Sequence, residues 1–179
     1  MTNRRVFGIA FVLGLVLALA NALYVRHENR QKEFKPIEAG VFLSEQIAAR
    51  DFRQIRRAGI KTIIDMRPDG EAVDQMPSAD VAKTCKVSHI DFVYNPVPHG
   101  EIPESAVQNL ERVLRESPRP ILMYCRTGRR AVRTYCLVEA SATPGPGKDS
   151  PLSLAKESGF DADDLSADIA ARIAKRKEK

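Results

Sequence analysis

ILMYCRTGRR, residues 121–130, places a single cysteine, Cys125, between a short apolar run and a turn that carries three arginines. The apolar run predicts a buried β-strand over Ile121–Tyr124, and a helix-compatible stretch over Ala131–Ala140 follows the turn. A strand that leads into a helix aims backbone N–H groups and the positive end of the helix dipole at one point. The segment therefore predicts an anion-binding loop at the end of a strand.

Cys125 is predicted to be reactive, although most free cysteines are small buried hydrophobes. It ends the apolar run, and Gly128 follows where a tight loop needs a residue without side-chain restrictions. Free cysteine titrates near pKa ~8.5, whereas cysteines at helix N-termini beside cationic groups titrate at roughly 3.5–7.5. The pattern favours a nucleophilic thiolate that attacks a phosphate or a sulfur oxyanion. The predicted anion-binding residues are Arg126, Thr127, Gly128 and Arg129.

The composition argues against several classes of protein. The 179 residues include three cysteines without a C-x-x-C pair and three scattered histidines, so neither a disulfide framework nor a zinc site is indicated. We expect no metal and no cofactor.

The net charge is concentrated at the N-terminus. Of the formal net charge of +5, residues 1–35 carry +4 (six Lys or Arg against two Glu), which leaves the rest of the chain nearly neutral. With no tryptophan, the chain is not expected to bind nucleic acid, and its oligomeric state stays open.

The N-terminal region contains a candidate membrane segment. Val6–Tyr24 is nineteen residues without a charge, a length that crosses the ~30 Å hydrocarbon core at ~1.5 Å per residue. We predict a single-pass membrane anchor over residues 1–25 and a solvated juxtamembrane linker over residues 26–36. A cleaved signal peptide is the alternative, because Ala18–Ala20 has the form of a cleavage site. Basic residues on both sides leave the orientation open, and the cytoplasmic face is preferred because thiols stay reduced there.

The remaining part, residues 37–179, is predicted to alternate strands and helices. Strands are expected at Val41–Leu43, Thr62–Ile64 and Ile90–Tyr94, and helices at Ala48–Ala58, Ala79–Lys86, after Pro103 and around Leu165–Ile173. This alternation predicts an α/β fold with a largely parallel sheet. Because ligands bind beyond the carboxyl ends of such strands, the loops Arg67–Gly70, Pro96–Glu101 and Cys125–Arg130 are expected at one edge.

Several segments, in this order along the chain, resemble the phosphatase-like domain of the beta-lactamase hydrolase-like proteins. They are Leu43–Gln46, Gly59–Ile64, Arg67–Glu71, Tyr124–Arg130 and Glu157–Asp161, followed by a final helix. The resemblance spans roughly residues 36–175. It implies a three-layer fold similar to the protein tyrosine and dual-specificity phosphatases, with a central, mostly parallel sheet flanked by helices. It also implies phosphatase or sulfur transferase activity.

The sequence departs from the tyrosine phosphatase pattern in two respects. Their loop has the pattern His-Cys-x5-Arg, whereas Tyr124 precedes Cys125 here and the arginine, Arg130, comes one residue early. That spacing is closer to the loop of rhodanese-type sulfurtransferases. The aspartate that serves as general acid after the third strand is also missing. His99 stands in that loop and has an imidazole suited to the role, and Asp69 is the second candidate.

Three functions are therefore considered. The favoured one is a membrane-anchored, cysteine-dependent hydrolase that forms a cysteinyl-phosphate on Cys125, with Arg130 binding phosphate oxygens and His99 or Asp69 protonating the leaving group. The first alternative is a sulfurtransferase that forms a persulfide on Cys125 and needs no strong general acid. The second is a non-catalytic module that binds an anion or a phosphoprotein. The expected partner is a small anionic substrate or a phosphorylated molecule.

Five further side chains have structural interpretations. Arg67 is expected to pair with a carboxylate that holds its loop, and Asp69 to form a turn with Gly70. Arg129 and Arg133 are interpreted as solvated charges at the start of a helix. Cys136 is expected to pack in the core, with the role of a resolving thiol as the alternative.

Overall fold

The computed structural model describes residues 12–22, 32–142 and 151–176. The chain divides into two compact units, Met1–Lys32 and Glu33–Lys179. In the first unit, residues 12–22 form helix α1, whose side chains are all exposed. Across the described residues, no helix has the length and apolar character needed to cross a bilayer. The membrane helix predicted over Val6–Tyr24 is therefore not found there, and residues 6–11, 23 and 24 lie outside the described part.

The second unit is built on a five-stranded sheet. Its strands are β1 (Lys35–Glu38), β2 (Val41–Ser44), β3 (Thr62–Asp65), β4 (Asp91–Tyr94) and β5 (Ile121–Tyr124), in the spatial order β1-β2-β5-β3-β4. Strands β2, β5, β3 and β4 run parallel, and β1 pairs with β2 in the antiparallel direction. The predicted parallel sheet is confirmed. Strand β1 lies at the boundary of the predicted linker and was not anticipated.

The strand register brings the four parallel strands to a common end. Ser44 pairs with Tyr124, Tyr124 with Asp65, and Asp65 with Tyr94, and each is the last residue of its strand. The segments that follow these residues therefore leave the sheet at one edge. This arrangement confirms the prediction that the three loops share an edge.

Helices connect the strands and complete the C-terminal part. They are α2 (Phe52–Arg57), α3 (Ser78–Val87), α4 (Glu104–Glu116), α5 (Arg129–Ser141), α6 (Pro151–Glu157) and α7 (Ser166–Arg176). A 3-10 turn, Ala49–Asp51, leads into α2, and a second, Asp163–Leu165, leads into α7. The helix predicted over Ala48–Ala58 is thus shorter and begins as a 3-10 turn.

The sheet separates two apolar cores. Adjacent residues of a strand point to opposite faces, so Ile63 and Leu122 join one cluster while Ile64 and Met123 join the other. Helices α2 and α3 cover the first cluster, and α4 to α7 cover the second. The described domain is therefore a three-layer α/β fold, as predicted, with Cys125 at the edge of the larger core.

Candidate active site

Cys125 follows β5 directly, and the loop after it is held by backbone contacts. The N–H of Met66 donates to the carbonyl of Tyr124 at 2.9 Å, and the N–H of Gln46 donates to the carbonyl of Arg126 at 3.2 Å. The N–H of Gly128 donates to the Cys125 sulfur at 3.2 Å. The segments after β2 and β3 thereby fix both ends of the turn that presents the sulfur.

Gly128 is the residue before α5 and has a backbone conformation that favours glycine. Its φ angle is +91°, in the left-handed region. An added Cβ would lie 2.7 Å from Cζ of Phe160, closer than nonbonded carbon atoms approach. The prediction that this position needs a residue without a side chain is therefore supported twice, by the backbone angle and by the packing.

The Cys125 side chain lies at the base of the loop. The residue is 1% exposed, so it is more enclosed than a nucleophile at the protein surface. Burial does not separate its sulfur from polar groups, because the sulfur accepts the Gly128 N–H and contributes to the raised pKa of Arg130. A reacting group must therefore be small enough to enter the loop.

Arg130 is held on one edge of its guanidinium group. Nη1 donates to Glu71 Oε1 at 2.6 Å and to the Val97 carbonyl at 2.7 Å, and Nη2 donates to Glu71 Oε2 at 2.7 Å. Burial alone would lower the pKa of Arg130, but the Glu71 carboxylate and the Cys125 sulfur outweigh it and raise that pKa. A guanidinium has five N–H donors, so these bonds leave the Nε donor and one donor on Nη2.

Glu71 is the functional residue that the sequence interpretation missed. Its carboxylate binds Arg130 through both oxygens, and Oε2 also accepts from Nε of Arg67 at 3.0 Å. The Arg130 hydrogen bond is the main reason that the pKa of Glu71 falls to about 2, with burial opposing it and Arg67 assisting. The sequence held one indication of this role: Glu71 ends the turn after β3, and that turn was expected at the same sheet edge as Arg67 and Arg130.

Arg67 confirms the expectation that it pairs with a carboxylate. Besides its bond to Glu71, its Nη1 donates to Oε1 of Gln46 at 2.9 Å. The residue is 4% exposed although it stands in a loop. Arg67 therefore links the segment after β2 to the segment after β3.

The two candidate general acids occupy different environments. Nε2 of His99 lies 3.6 Å from Oε1 of Glu71, and the His99 side chain is 72% exposed. Both Asp69 oxygens instead accept from Ser78, from its N–H at 2.8 Å and its hydroxyl at 2.6 Å. Asp69 therefore holds the start of α3, a contact that its turn interpretation did not include, and His99 is the candidate that reaches the Arg130–Glu71 pair.

The remaining predicted anion-binding residues surround the mouth of the loop. Arg126, Thr127 and Arg129 are exposed. Arg129 is a largely solvated charge at the start of the helix, as interpreted, although its Nη2 lies 3.6 Å from Oδ1 of Asp164. Arg133 differs from that interpretation, because its side chain is mostly buried and pairs with Asp164.

Cys85 and Cys136 take no part in the loop. Both are fully buried free thiols, and burial raises the pKa of each to about 12. The Cys136 sulfur donates to the Pro151 carbonyl at 3.1 Å, which supports its interpretation as a packed core residue.

A buried acid lies next to the residue that precedes the cysteine. Asp65 is 1% exposed and its Oδ1 accepts from the N–H of Arg67 at 2.9 Å. Among the described residues, neither Oδ2 of Asp65 nor the Tyr124 hydroxyl makes a hydrogen bond. The Tyr124 hydroxyl nevertheless lies near enough to affect the pKa of Asp65. Burial raises the pKa of Asp65 to about 6, although Tyr124 and the Arg67 N–H act in the opposite direction.

A groove of about 790 Å³ lies between α4, α5 and α7 and is separate from this loop. The ion pairs Glu104–Arg172 and Arg133–Asp164 stand on its walls. Neither Cys125 nor Arg130 lines it. The groove is therefore not the place where the cysteine would meet a substrate.

Solved structures of similar fold identify the class. A candidate phosphatase from Neisseria meningitidis matches with a TM-score of 0.68 at 25% identity, covering 78% of this chain and 97% of that chain. Tk-PTP in its active form matches with a TM-score of 0.58 at 14% identity, covering 83% and 99%, a similarity of fold alone. The fold and the cysteine loop define a phosphatase-like α/β domain related in architecture to the protein tyrosine phosphatases.

Sequence comparison identifies a particular family within that class. Residues 33–142 match the sequence model of the family described as the phosphatase-like domain of the beta-lactamase hydrolase-like protein. The beta-lactamase hydrolase-like protein of Agrobacterium fabrum is 30% identical over 90 residues, which cover 50% of this chain and 21% of that protein. This chain belongs to the family of phosphatase-like domains of beta-lactamase hydrolase-like proteins. The aligned part spans about a fifth of that curated relative.

The buried acid gives a pH-dependent contribution to stability. Because the pKa of Asp65 is raised from 3.8 to about 6, its contribution is complete below about pH 4 and is lost as pH rises through 6. Asp65→Asn keeps the acceptor for the Arg67 N–H and removes the buried charge. We expect the variant to gain up to roughly 2–3 kcal/mol over the wild type near pH 7.5 and little near pH 4.

Urea unfolding at the two pH values measures this difference. Asp91→Asn, at an exposed position on β4, serves as the matched control and is expected to leave the pH profile unchanged. An equal stability change for Asp65→Asn at both pH values would contradict the assignment.

Proposed function

We propose that this domain is a cysteine-dependent hydrolase of phosphate esters. The observation that carries the proposal is the geometry of Arg130, whose outer edge is saturated by Glu71 and Val97. Arg130 lies near enough to the Cys125 sulfur for that sulfur to raise its pKa, and the Gly128 N–H points to the same sulfur. A guanidinium edge and a backbone N–H beside one sulfur form a site for the oxygens of a phosphoryl group.

The reaction consists of two displacements at phosphorus. The Cys125 thiolate forms a sulfur–phosphorus bond as the bond from phosphorus to the ester oxygen breaks, and the leaving oxygen takes a proton. Water then attacks the cysteinyl-phosphate, the sulfur leaves as thiolate, and inorganic phosphate is released. Arg130 and the loop N–H groups stabilise the charge that develops on the phosphoryl oxygens in both steps.

Glu71 supports this reaction without contacting the substrate. Because the Arg130 hydrogen bond lowers its pKa to about 2, Glu71 stays ionised throughout the neutral range. The bidentate pair then holds the guanidinium plane in one orientation, and the second bond from Arg67 fixes the carboxylate itself. We infer that the unused edge of Arg130 is preoriented before a substrate arrives.

A sulfurtransferase is the second candidate function. It is favoured by the short spacing of Cys125 and Arg130, with four residues between them, and by the enclosed sulfur. In this reaction the thiolate attacks the sulfane sulfur of thiosulfate, sulfite leaves, and a persulfide forms on Cys125. An acceptor thiolate then attacks the outer sulfur and regenerates the Cys125 thiolate.

The two reactions are separated by offering the protein p-nitrophenyl phosphate and, in a second assay, thiosulfate with cyanide. We expect phosphate release by the wild type, and a loss of at least about a thousandfold in Cys125→Ser because the nucleophile is removed. Cys136→Ser is the matched control, since that thiol is sealed in the core. Thiocyanate formation without phosphate release would establish the sulfurtransferase instead.

Neither activity in a folded wild type, or equal activity in Cys125→Ser, would reject both enzymatic functions. Retained binding of inorganic phosphate in that case would indicate the third function, a non-catalytic anion-binding module.

We further propose His99 as the general acid that protonates the leaving oxygen. Its imidazole is solvent-exposed and lies beside the Glu71 carboxylate that holds Arg130, whereas Asp69 is engaged with Ser78. His99→Asn is expected to slow hydrolysis of phenyl phosphate by about a hundredfold, because that leaving group needs a proton. Hydrolysis of p-nitrophenyl phosphate should change little, since its phenolate leaves unaided.

Asp69→Asn is the control for this assignment. It keeps an acceptor for the Ser78 N–H and is expected to hydrolyse both esters within about twofold of the wild type. Loss of phenyl phosphate hydrolysis in Asp69→Asn, with full activity in His99→Asn, would reverse the two roles.

We also propose that the N-terminal segment attaches the domain to a membrane, with the cytoplasmic face as the preferred side. The proposal rests on the uncharged run of nineteen residues and on the exposed apolar side chains of α1, including Leu13 at 60% and Leu17 at 64%. Such a surface is costly in water and favourable in lipid.

Membrane fractionation with alkaline carbonate tests the attachment. The wild-type chain is expected in the pellet, and Leu13→Arg combined with Leu17→Arg is expected in the supernatant, because each arginine costs about 2.5–3.5 kcal/mol within a bilayer-spanning helix. Wild-type protein in the supernatant at full length would overturn the proposal. Recovery of a shortened chain lacking this segment would identify a cleaved signal peptide.

A further inference from the structure

We propose that residues 159–164, here named the 159–164 segment, position the anion loop for reaction. The segment acts on the loop through Phe160 and Asp164, which contact different parts of it. The proposal rests on the function assigned to the Cys125 loop. The segment lies beyond residues 33–142, the part of the chain that the family model matches.

The Phe160 ring closes one side of the loop. Its Cζ and Cε1 lie 2.7 and 3.2 Å from the point where a Cβ of Gly128 would be. The ring therefore packs directly on the Gly128 backbone, which donates its N–H to the Cys125 sulfur. This contact blocks any movement of Gly128 toward the ring.

The ring also contacts a lysine of β1. Nζ of Lys35, the first residue of β1, stands 5.1 Å from the ring centroid, a cation–π distance. The same Nζ lies 3.5 Å from the Ser158 carbonyl. Phe160 is thus placed between β1 and the anion loop and is half-buried.

The second contact is electrostatic and acts on the first turn of α5. The Asp164 carboxylate pairs with Arg133 and lies 3.6 Å from Nη2 of Arg129. Nε of Arg129 also donates to the Asp161 carbonyl at 3.4 Å. The Asp164 carboxylate therefore interacts with both Arg129 and Arg133 and offsets the repulsion between their positive charges.

These contacts fix the position from which α5 begins. Gly128 precedes the helix, and the first residues of the helix include Arg130, which lies near enough to the Cys125 sulfur to interact with it. A small displacement of this turn would move the Gly128 N–H and the Arg130 guanidinium together. Since displacements of about 1 Å cost up to about a hundredfold in rate, the segment is a positioning element and not a passive cover.

The test compares variants of the full chain in two measurements. The first is kcat and KM for p-nitrophenyl phosphate. The second is the rate at which Cys125 reacts with iodoacetate relative to iodoacetamide, assigned by peptide mapping. Iodoacetate carries a charge and iodoacetamide does not, so the ratio reports on the anion-binding geometry without requiring turnover.

Phe160→Ala is expected to lower kcat by about tenfold or more and to lower the alkylation ratio, because the loop loses its support. Phe160→Tyr adds a hydroxyl on Cζ, the ring atom nearest to Gly128, and is expected to lower both values as well, because the Gly128 backbone must then move away from the ring. If Phe160→Ala does not fold, Phe160→Leu supplies the smaller change with the same expected direction. Unchanged kcat and alkylation ratio in a folded Phe160→Ala or Phe160→Leu would overturn the proposal.

Asp164→Asn separates positioning from simple charge. Removing a negative charge beside Arg129 would speed the reaction with iodoacetate if charge alone mattered, whereas loss of positioning slows it. Asp163→Asn is the matched control, because this neighbour pairs instead with the exposed Lys156, and it is expected to behave as the wild type. A faster iodoacetate reaction in Asp164→Asn would overturn the role given to Asp164.

The measurements distinguish failure of the hydrolase proposal from failure of the positioning proposal. If the wild type turns over no phosphate ester, the hydrolase assignment fails, yet the alkylation ratio still tests the positioning role. If the wild type is active and the Phe160 variants match it in both measurements, the hydrolase stands and the positioning role is rejected.

Discussion

The ion pair between Arg130 and Glu71 is the contact on which the candidate site depends. It joins the start of α5 to the turn after β3, and Arg67 extends the link to Gln46 after β2. Charged groups this deeply placed are costly to desolvate, and they persist only when their donors and acceptors are paired. Here the bidentate pairing with Glu71 leaves two guanidinium donors over, so the same contact that satisfies the buried charge also orients it.

The sheet makes this convergence possible. Four parallel strands end at one level, so residues far apart in the chain meet at one edge without a long connection. The arrangement has a cost at the strand ends, where Oδ2 of Asp65 and the Tyr124 hydroxyl are buried without a hydrogen bond among the described residues. Such locally unfavourable burial beside a loop is common at functional sites.

The sequence predicted the layers, the strand that presents Cys125 and the glycine that follows it, because hydrophobic periodicity and turn chemistry are local signals. It did not predict β1, whose Lys35-Pro36-Ile37-Glu38 carries no apolar alternation of its own and is a strand only because β2 offers it a partner. The roles of Glu71 and Asp164 were also missed. Each depends on arginines distant in sequence, and spacing along the chain cannot show which carboxylate meets which guanidinium.

The distribution of the other thiols has a consequence for oxidative chemistry. Cys85 and Cys136 are the remaining cysteines of the chain, and both are sealed in the core, with Cys136 bonded to the Pro151 carbonyl. Burial raises the pKa of both thiols to about 12, so neither supplies a thiolate near neutral pH to attack a sulfenic acid formed on Cys125. Recovery must come from an external reductant such as a low-molecular-weight thiol, and prolonged peroxide exposure carries the sulfur on to the irreversible sulfinic state.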